Sequence, residues 1–391
     1  MRILHYTATY APAWKWGGPP RSVSNLCEGL AALGHAVTVF TTNAGLESDT
    51  TLPLGTPVQR NGVTVTYFPA RLSRLGITSP DLERAAQTRV GEFDLVHLCG
   101  AWQPANPAAA RAARRAGVPY CVSPRGMLQR YSFTQKAWKK WVWYYLYERG
   151  LLRRAAAIHC TSELEDREMA RFGLSTPRFR VPNVIPTQSW RRNLDAGQAF
   201  RAAQGVATGE LLLLYAGRLH HKKGLELLPG VCAEVSRTRT ARVVFVGPDE
   251  DGTRERLLAG FSAEGCAERV SFTGPVDTTH LTAAYSAADA FVFPSRDENF
   301  GNVAVEALAC GCPVVLSVGV GAAADLRDLP LVRVADCAAK AWARAILELT
   351  TLPELDYLRT SVRATVEARF GSAGVAAAMA GHYERFRWKD R

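Results

Sequence analysis

The chain has 391 residues, of which 47% are hydrophobic and 21% are charged, a composition typical of ordinary globular domains. This length predicts two or three domains and argues against a disordered chain, a fibre or a coiled coil. The longest apolar run, Trp141 to Tyr147, is far shorter than the roughly 20 residues of a membrane-spanning helix. Nine scattered cysteines and an N-terminus that does not resemble a secretion signal together predict a cytoplasmic protein without a disulfide framework.

The net charge of +11 lies entirely in the first half of the chain. Residues 1–182 hold 23 Lys and Arg against 12 Asp and Glu, whereas residues 183–391 are balanced. Such asymmetry favours an anionic partner: a phosphate-bearing ligand, an acidic membrane surface or a nucleic acid. A basic but merely solvated surface is the alternative.

The first half alternates continuous apolar runs with helical patterns such as Pro20–Leu33 and Pro107–Ala116. Continuous runs are typical of strands that are buried on both faces of a parallel sheet. Alternation of strand and helix predicts a doubly wound α/β layer. The predicted strands are Arg2–Ala8, Ala36–Thr42, Val63–Ala70, Asp94–Gly100, Pro119–Pro124 and Ala156–Ser162.

The pattern breaks at Pro182–Pro186, where two prolines and an asparagine precede a polar stretch. A second α/β series then predicts another Rossmann-like domain, and we expect the two sheets to face each other across a cleft. The predicted domains are 1–185, 186–370 and a C-terminal helix, 371–391, that packs back on the first domain. The strands of the second series are Leu211–Gly217, Ala241–Gly247, Arg269–Val276, Asp289–Ser295, Cys312–Val318 and Leu331–Ala335.

A basic loop follows the strand Leu211–Gly217. Arg218 lies at the strand end, and Lys223 lies at the predicted start of the next helix. Two cations beside a helix N-terminus, with glycines that allow close approach, suit a diphosphate. The alternative is an ordinary polar loop. We interpret His220 and His221 as loop residues, because the sequence places no carboxylate or thiol at metal-ligand spacing from them.

Two glutamates follow the strand that ends at Ser295. Glu298 lies in the loop, and Glu306 lies on the helix that begins near Gly301. A carboxylate can accept hydrogen bonds from two sugar hydroxyls, and the unpaired backbone N–H groups at Asn299, Phe300 and Gly301 can donate to an anion or a sugar. Alternatively, Glu298 caps the helix and Glu306 is solvated, although apolar neighbours argue against exposure of Glu306.

The motifs G-R-x4-K-G and E-N-F-G-x4-E-A-x-A-x-G-x-P, in two α/β domains, resemble the retaining GT-B glycosyltransferases, which use nucleotide-diphosphate sugars. The resemblance implies that Arg218 and Lys223 hold the diphosphate of a UDP-, GDP- or ADP-sugar and are catalytic together with Glu298. Glu298 and the backbone of 299–301 would hold the donor sugar, and Glu306 would bind the ribose.

The same resemblance implies that Gly18 approaches the donor phosphate and that the nucleobase lies near Gly247 and Val276. Transfer would proceed on one face with retention of configuration, with no side-chain nucleophile, no cofactor and no metal, because cations stabilise the leaving group. The acidic triplet Asp249–Asp251 is interpreted as a solvated loop rather than a metal site.

First-domain features are similar to those of a subgroup that builds bacterial exopolysaccharide or lipopolysaccharide. They are Gly17 with Gly18, the strand end DLVHLCGAW and the segment SPRGML. Relatives often carry an H-x-H-G pattern whose histidine touches the donor sugar, but here Cys99 replaces the second histidine. His97 and Arg125 are candidates for contact with the acceptor. Alternatively, His97 is a strand residue without such a contact, and Arg125 can equally form a structural ion pair.

Residues 133–154 combine basic and aromatic side chains. Lys136, Lys139 and Lys140 share one face of a predicted helix, and Trp141 begins a run of aromatic residues. This combination suits an anionic membrane surface and a lipid-linked acceptor. The alternative is a helix whose aromatic side chains pack in the core.

The sequence therefore predicts a retaining glycosyltransferase that acts on a saccharide or lipid-linked acceptor, at the inner face of the membrane if segment 133–154 binds lipid. A nucleotide-sugar epimerase on the same architecture is a second possibility. A nucleic-acid-binding protein is a third, but no nucleic-acid-binding motif supports it.

Overall fold

A computed structural model describes residues 1–46, 48–49, 51–73, 76–134 and 137–387. The chain divides into two compact units. Unit 1 comprises Met1–Ile185 and the C-terminal segment that starts at Ser372. Unit 2 comprises Pro186–Gly371.

Unit 1 is built on an eight-stranded sheet of order β10-β9-β8-β7-β1-β2-β4-β3. Only β3 runs antiparallel, against β4. A separate hairpin pairs β5 with β6. The strands are β1 (Arg2–Thr7), β2 (Ala36–Thr42), β3 (Pro57–Arg60), β4 (Val63–Phe68), β5 (Arg71–Ser73), β6 (Gly76–Thr78), β7 (Leu95–Cys99), β8 (Tyr120–Ser123), β9 (Ala157–Cys160) and β10 (Arg178–Arg180).

Helices cover both faces of this sheet, and successive residues of one strand, such as Ile3 and Leu4, belong to two different apolar clusters. The helix α16 packs on α1, where Gly29 allows the approach: a Cβ there would lie 2.9 Å from the Ser372 hydroxyl. The helices of unit 1 are α1 (Gly18–Ala32), α2 (Pro80–Arg89), α3 (Asn106–Arg115), α4 (Arg130–Thr134), α5 (Ala137–Trp143), α6 (Arg149–Arg153), α7 (Glu163–Ala170) and α16 (Ser372–Arg387).

Unit 2 contains a six-stranded parallel sheet of order β13-β12-β11-β14-β15-β16. Its strands are β11 (Leu211–Ala216), β12 (Ala241–Val246), β13 (Val270–Gly274), β14 (Ala290–Phe293), β15 (Val314–Ser317) and β16 (Val332–Ala335). Its helices are α8 (Leu194–Ala203), α9 (Leu228–Ser236), α10 (Thr253–Ala263), α11 (Thr278–Ala287), α12 (Asn302–Ala309), α13 (Ala323–Leu326), α14 (Ala339–Thr350) and α15 (Leu355–Phe370).

The strand order of each sheet reverses at its first strand, β1 in unit 1 and β11 in unit 2. Ligands of open α/β sheets bind beyond the carboxyl ends of the strands at such a point. In unit 2 the loops at this point are those after β11 and β14. None of the helices in the described part of the chain combines the length and apolarity needed to span a bilayer.

Candidate active site

The loop after β11 begins with a close contact between two strand ends. Gly217 donates its N–H to Val246 O (2.9 Å), and Gly247 donates to Gly274 O (2.9 Å). A Cβ on Gly247 would lie 2.0 Å from Gly217 O, so the side chain must be absent. These contacts bring the ends of β11, β12 and β13 together, with Val276 half-buried just beyond β13.

Arg218 leaves this junction toward solvent. The Tyr215 hydroxyl donates to Arg218 O (2.9 Å), which fixes the backbone. The guanidinium Nη1 of Arg218 lies 3.1 Å from both carboxylate oxygens of Glu250, and about half of the Arg218 side chain is exposed. The cation is therefore available to an incoming anion that can displace Glu250.

Lys223 and Glu298 meet at the switch point of the sheet. The Lys223 Nζ donates to Glu298 Oε2 and lies 5.6 Å from the ring centre of Phe293, the last residue of β14. Both side chains are largely buried. The pKa of the nearby Tyr215 is raised by burial and further by Glu298. Two segments 75 residues apart thus form one charged cluster.

The predicted helix N-terminus at Lys223 is wrong. Residues His221–Lys223 and Leu225–Leu227 form short 3-10 turns, and α9 begins only at Leu228. Gly224 separates the turns in a left-handed conformation, φ +62°, and packs against Pro294 O, where a Cβ would lie 2.3 Å away. The loop conformation, rather than a helix end, therefore places Lys223 against Glu298.

The loop Glu298–Gly301 is held by the segment after β15. Glu298 N donates to Gly319 O (2.9 Å), and Gly321 N donates to Glu298 O (2.9 Å). Gly301 has φ +93°, and a Cβ there would lie 2.7 Å from Val320 Cγ1. Phe300 is buried, and Asn299 lies between it and Glu298. The helix α12 begins at the next residue, Asn302, close to the predicted start.

Glu306 lies on α12 and is only 4% exposed, so the alternative of a solvated glutamate is excluded. Its carboxylate lies beside Tyr285 of α11, whose pKa is raised first by burial and then by Glu306. The described contacts thus bring Lys223 and Glu298 together and place Glu306 against Tyr285. Arg218 lies two residues beyond the end of β11.

The acidic triplet Asp249–Asp251 lies in a largely exposed loop, as predicted, but each of its carboxylates has a partner. Asp249 accepts from Thr253 N (3.0 Å) at the start of α10, Glu250 pairs with Arg218, and Asp251 Oδ2 lies 3.0 Å from His221 Nδ1. The reason is an isolated parallel bridge between Leu219 and Asp249, which continues the β11–β12 pairing beyond both strands. Sequence spacing alone gave no signal for these contacts.

In unit 1, Gly17 and Gly18 open α1, and a Cβ on either would meet no atom within 4 Å. His97 lies in β7 and is fully buried, with Nδ1 2.6 Å from the Tyr383 hydroxyl of α16. Burial lowers the pKa of His97 well below its usual value. The predicted acceptor contact of His97 needs an accessible ring, so the structure argues against it. Cys99 is also buried, and burial raises its pKa to about 11.

Arg125 is buried rather than accessible. It has φ +57°, and its Nη1 donates to Ser22 Oγ (3.2 Å) and to Asn183 Oδ1 (2.8 Å). The Nε and Nη2 atoms are buried without a hydrogen-bond partner among the described residues. Arg125 therefore ties α1 to the segment that leads out of unit 1.

Segment 133–154 exposes half of its described apolar side chains and buries or partly buries the others. Lys136 lies outside the described residues. Lys139 is exposed, whereas Lys140 donates to Ser132 O and lies 6.0 Å from the Trp102 ring centre. A π-helical turn over Tyr144–Glu148 separates α5 from α6. The side chains that are 44–69% exposed, here called the aromatic surface, are Trp138, Trp141, Val142, Tyr145, Leu146 and Tyr147.

Two parallel α/β sheets, each with its own switch point, define the two-domain class of the GT-B fold. Residues 17–205 match the family model for the glycosyl transferase 4-like domain, and residues 210–351 match that for glycosyl transferases group 1. The chain therefore belongs to the GT-B glycosyltransferases.

Individual relatives agree with this assignment. The chain is 29% identical to D-inositol 3-phosphate glycosyltransferase 2 of Catenulispora acidiphila, over 94% of this chain and 90% of that protein. The fold is similar to that of sucrose-phosphate synthase from Thermosynechococcus elongatus, with a TM-score of 0.75 at 21% identity, over 98% and 99% of the two chains. It is also similar to HepE from Anabaena in complex with UDP, with a TM-score of 0.77 at 19% identity, over 98% and 100%.

Proposed function

We propose that this glycosyltransferase moves a hexosyl group from a nucleoside-diphosphate sugar to a saccharide or lipid-linked saccharide of the cell surface, with retention of configuration. The observation that carries the proposal is the Lys223–Glu298 contact at the switch point of unit 2, with Arg218 on the loop that also carries Lys223. It combines two cations suited to a diphosphate with a carboxylate suited to sugar hydroxyls.

In the proposed reaction the bond between the anomeric carbon and the diphosphate oxygen breaks while the oxygen of an acceptor hydroxyl bonds to the same face of that carbon. The hydroxyl proton passes to the departing diphosphate oxygen. Negative charge grows on the departing diphosphate, and Arg218 and Lys223 stabilise it. Glu298, with the backbone of 299–301, holds the sugar, and Glu306 holds the ribose beside a nucleobase near Gly247 and Val276. Because these cations meet the charge, no metal is required for transfer.

The test has two stages. Thermal shift with UDP, GDP, ADP and their hexose conjugates identifies the nucleotide, since a ligand raises the melting temperature according to its affinity. The UDP in the HepE structure makes uridine the first choice. Transfer is then followed with EDTA present, and NMR of the product reads the anomeric configuration. Inversion, a strict metal requirement or an isomerised donor without acceptor would contradict the proposal; the last result would indicate an epimerase.

A second acceptor class is a polyol phosphate. It is supported by the name of the Catenulispora relative and by the basic excess of the first half of the chain. Competition between inositol 3-phosphate and a lipid-linked saccharide, each supplied with the same donor, distinguishes the two classes.

We also propose that the aromatic surface binds an anionic membrane. Segment 133–154 carries these six exposed apolar side chains together with the exposed cations Lys139, Arg149 and Arg153, a combination that suits the interface of an anionic leaflet. Flotation with phosphatidylserine vesicles should recover the wild type, whereas Trp138→Ser/Leu146→Ser should lose binding. Tyr357→Ser, an equally exposed aromatic position of unit 2, is the control. Absence of wild-type flotation at moderate salt would contradict membrane binding by the aromatic surface.

A further inference from the structure

Two histidines and an aspartate come together beside the Arg218 loop, from segments that the sequence separates by 30 residues. His220 and His221 follow β11, and Asp251 follows β12. Leu219 N donates to Pro248 O (2.8 Å), and Glu250 N donates to Leu219 O (3.2 Å), so the two loops run side by side. Neighbouring strands, rather than local spacing, therefore assemble the cluster.

The donor atoms of this cluster are close. His221 Nδ1 lies 3.0 Å from Asp251 Oδ2, and the ring centres of His220 and His221 are 4.1 Å apart. One nitrogen or oxygen from each residue lies within 4.8 Å of the other two. Ligands of a tetrahedral zinc ion are about 3.3 Å apart for bonds of about 2.0 Å. Small side-chain rotations would therefore bring the three donor atoms to the separation of zinc ligands. The side chain of His221, which is 60% exposed, has room for such a rotation.

We propose that His220, His221 and Asp251 bind a borderline divalent cation of the Zn²⁺ class, with water completing its coordination. Two imidazoles and one carboxylate suit Zn²⁺, Ni²⁺ or Cu²⁺ far better than Mg²⁺, which prefers oxygen ligands and retains water. The proposed transfer reaction does not use this metal, although two of the ligands lie on the loop between Arg218 and Lys223.

Neighbouring groups orient the carboxylate and limit the affinity. Asp251 Oδ1 accepts from the Thr253 hydroxyl and from Arg256 Nη2 (3.1 Å), which leaves Oδ2 toward His221. His220 Nδ1 accepts from Lys222 N (3.2 Å), so that ring carries its proton on Nε2. Coordination through Nε2 moves this proton to Nδ1 and breaks the Lys222 contact. We therefore expect a modest affinity and a shift of the loop that holds Lys223.

The test is isothermal titration of the full chain, without a polyhistidine tag, with ZnCl₂ alone. The wild type should bind Zn²⁺ saturably, with no competition from excess Mg²⁺. His221→Ala and Asp251→Asn should each weaken binding at least about tenfold, as loss of a metal ligand or its support does. Circular dichroism verifies that each variant is folded.

His280→Ala is the matched control. Its Nδ1 lies 2.8 Å from Asp277 Oδ1, so it has the same imidazole–carboxylate contact, but it belongs to neither three-residue group found in the described part of the chain. Wild-type affinity in this variant supports the assignment. Absence of saturable Zn²⁺ binding, or equal affinity in the wild type, His221→Ala and Asp251→Asn, would overturn it. No donor or acceptor is needed, so failure here is distinct from failure of the proposed transfer reaction.

Discussion

Removal of the Arg218 guanidinium tests the diphosphate site most directly. In the structure its Nη1 contacts both oxygens of Glu250 at 3.1 Å, and the Arg218 side chain is 53% exposed. A solvent-exposed pair of this kind contributes only about 0–1 kcal/mol to folding. Arg218→Ala should therefore leave the melting temperature nearly unchanged, so any loss of activity reports on catalysis.

The expected loss follows from the bond that Arg218 is proposed to make to the departing diphosphate. A charge-assisted hydrogen bond contributes roughly 1.5–3 kcal/mol. Since about 1.4 kcal/mol corresponds to a factor of ten, kcat/KM should fall about 10- to 150-fold, and more if the bond strengthens in the transition state. Lys223→Ala should have a similar effect but should also release Glu298.

The assay is release of the nucleoside diphosphate with saturating acceptor, after the donor has been identified. Arg237→Ala is the control, because Arg237 is an exposed arginine of unit 2 that also pairs with a glutamate, Glu234, at 3.0 Å. Near-normal turnover by the double variant Arg218→Ala/Lys223→Ala would refute the assignment of the diphosphate site.

Three further predictions concern glutamates. Glu250→Gln should lower the donor KM by up to about fivefold, because it removes a competitor for Arg218 whose pairing contributes at most about 1 kcal/mol; an unchanged or higher KM contradicts this. Glu306→Gln keeps the buried shape but weakens the proposed acceptor for the ribose hydroxyls, so titration calorimetry should show about tenfold weaker nucleotide binding, with deoxyribose nucleotides least affected. Glu148 is buried, and burial raises its pKa from 4.5 to about 7. Between pH 4.5 and about pH 7 the folded protein retains a proton that the unfolded chain loses. The free energy of unfolding should therefore fall by up to about 3 kcal/mol as the pH rises through this range. In Glu148→Gln, thermal melts at about pH 5 and about pH 8 should no longer show that fall. An equal loss of stability between these two pH values in the wild type and the variant would exclude Glu148 as the cause.

The strands that the sequence predicted are those with continuous apolar runs. All six predicted strands of unit 2 occur. The four inner strands are buried almost completely on both faces, as continuous apolar runs predict, whereas the edge strands β13 and β16 are only partly buried. The sequence missed β3, β5, β6 and β10, which have three or four residues and lie mainly exposed. Such strands form because they pair with the edge of a neighbouring strand, and the local sequence carries no information about that neighbour.

The candidate site was predicted in the same uneven way. Arg218 and Glu298 were identified because they follow buried strands, where side chains of α/β proteins meet ligands. The partner of Arg218 was not, since Glu250 reaches Arg218 only through the pairing of β11 with β12. The core position of His97 was equally hidden, because Tyr383 lies 286 residues away on the C-terminal helix. Contacts that depend on strand order, or on segments far apart in the sequence, can be recognised only once the fold is known.

The charge pairing at the site determines how the donor should bind. Arg218, Lys222 and Lys223 contact Glu250, Asp297 and Glu298 respectively, so each cation already has a carboxylate partner. A diphosphate must exchange with these partners instead of meeting bare cations, and part of its attraction is used to separate existing pairs. Donor affinity should therefore be lower, and less sensitive to salt, than three lysine or arginine side chains would suggest. The exchange also frees Glu298 from Lys223 at the moment when a sugar hydroxyl arrives to take its place.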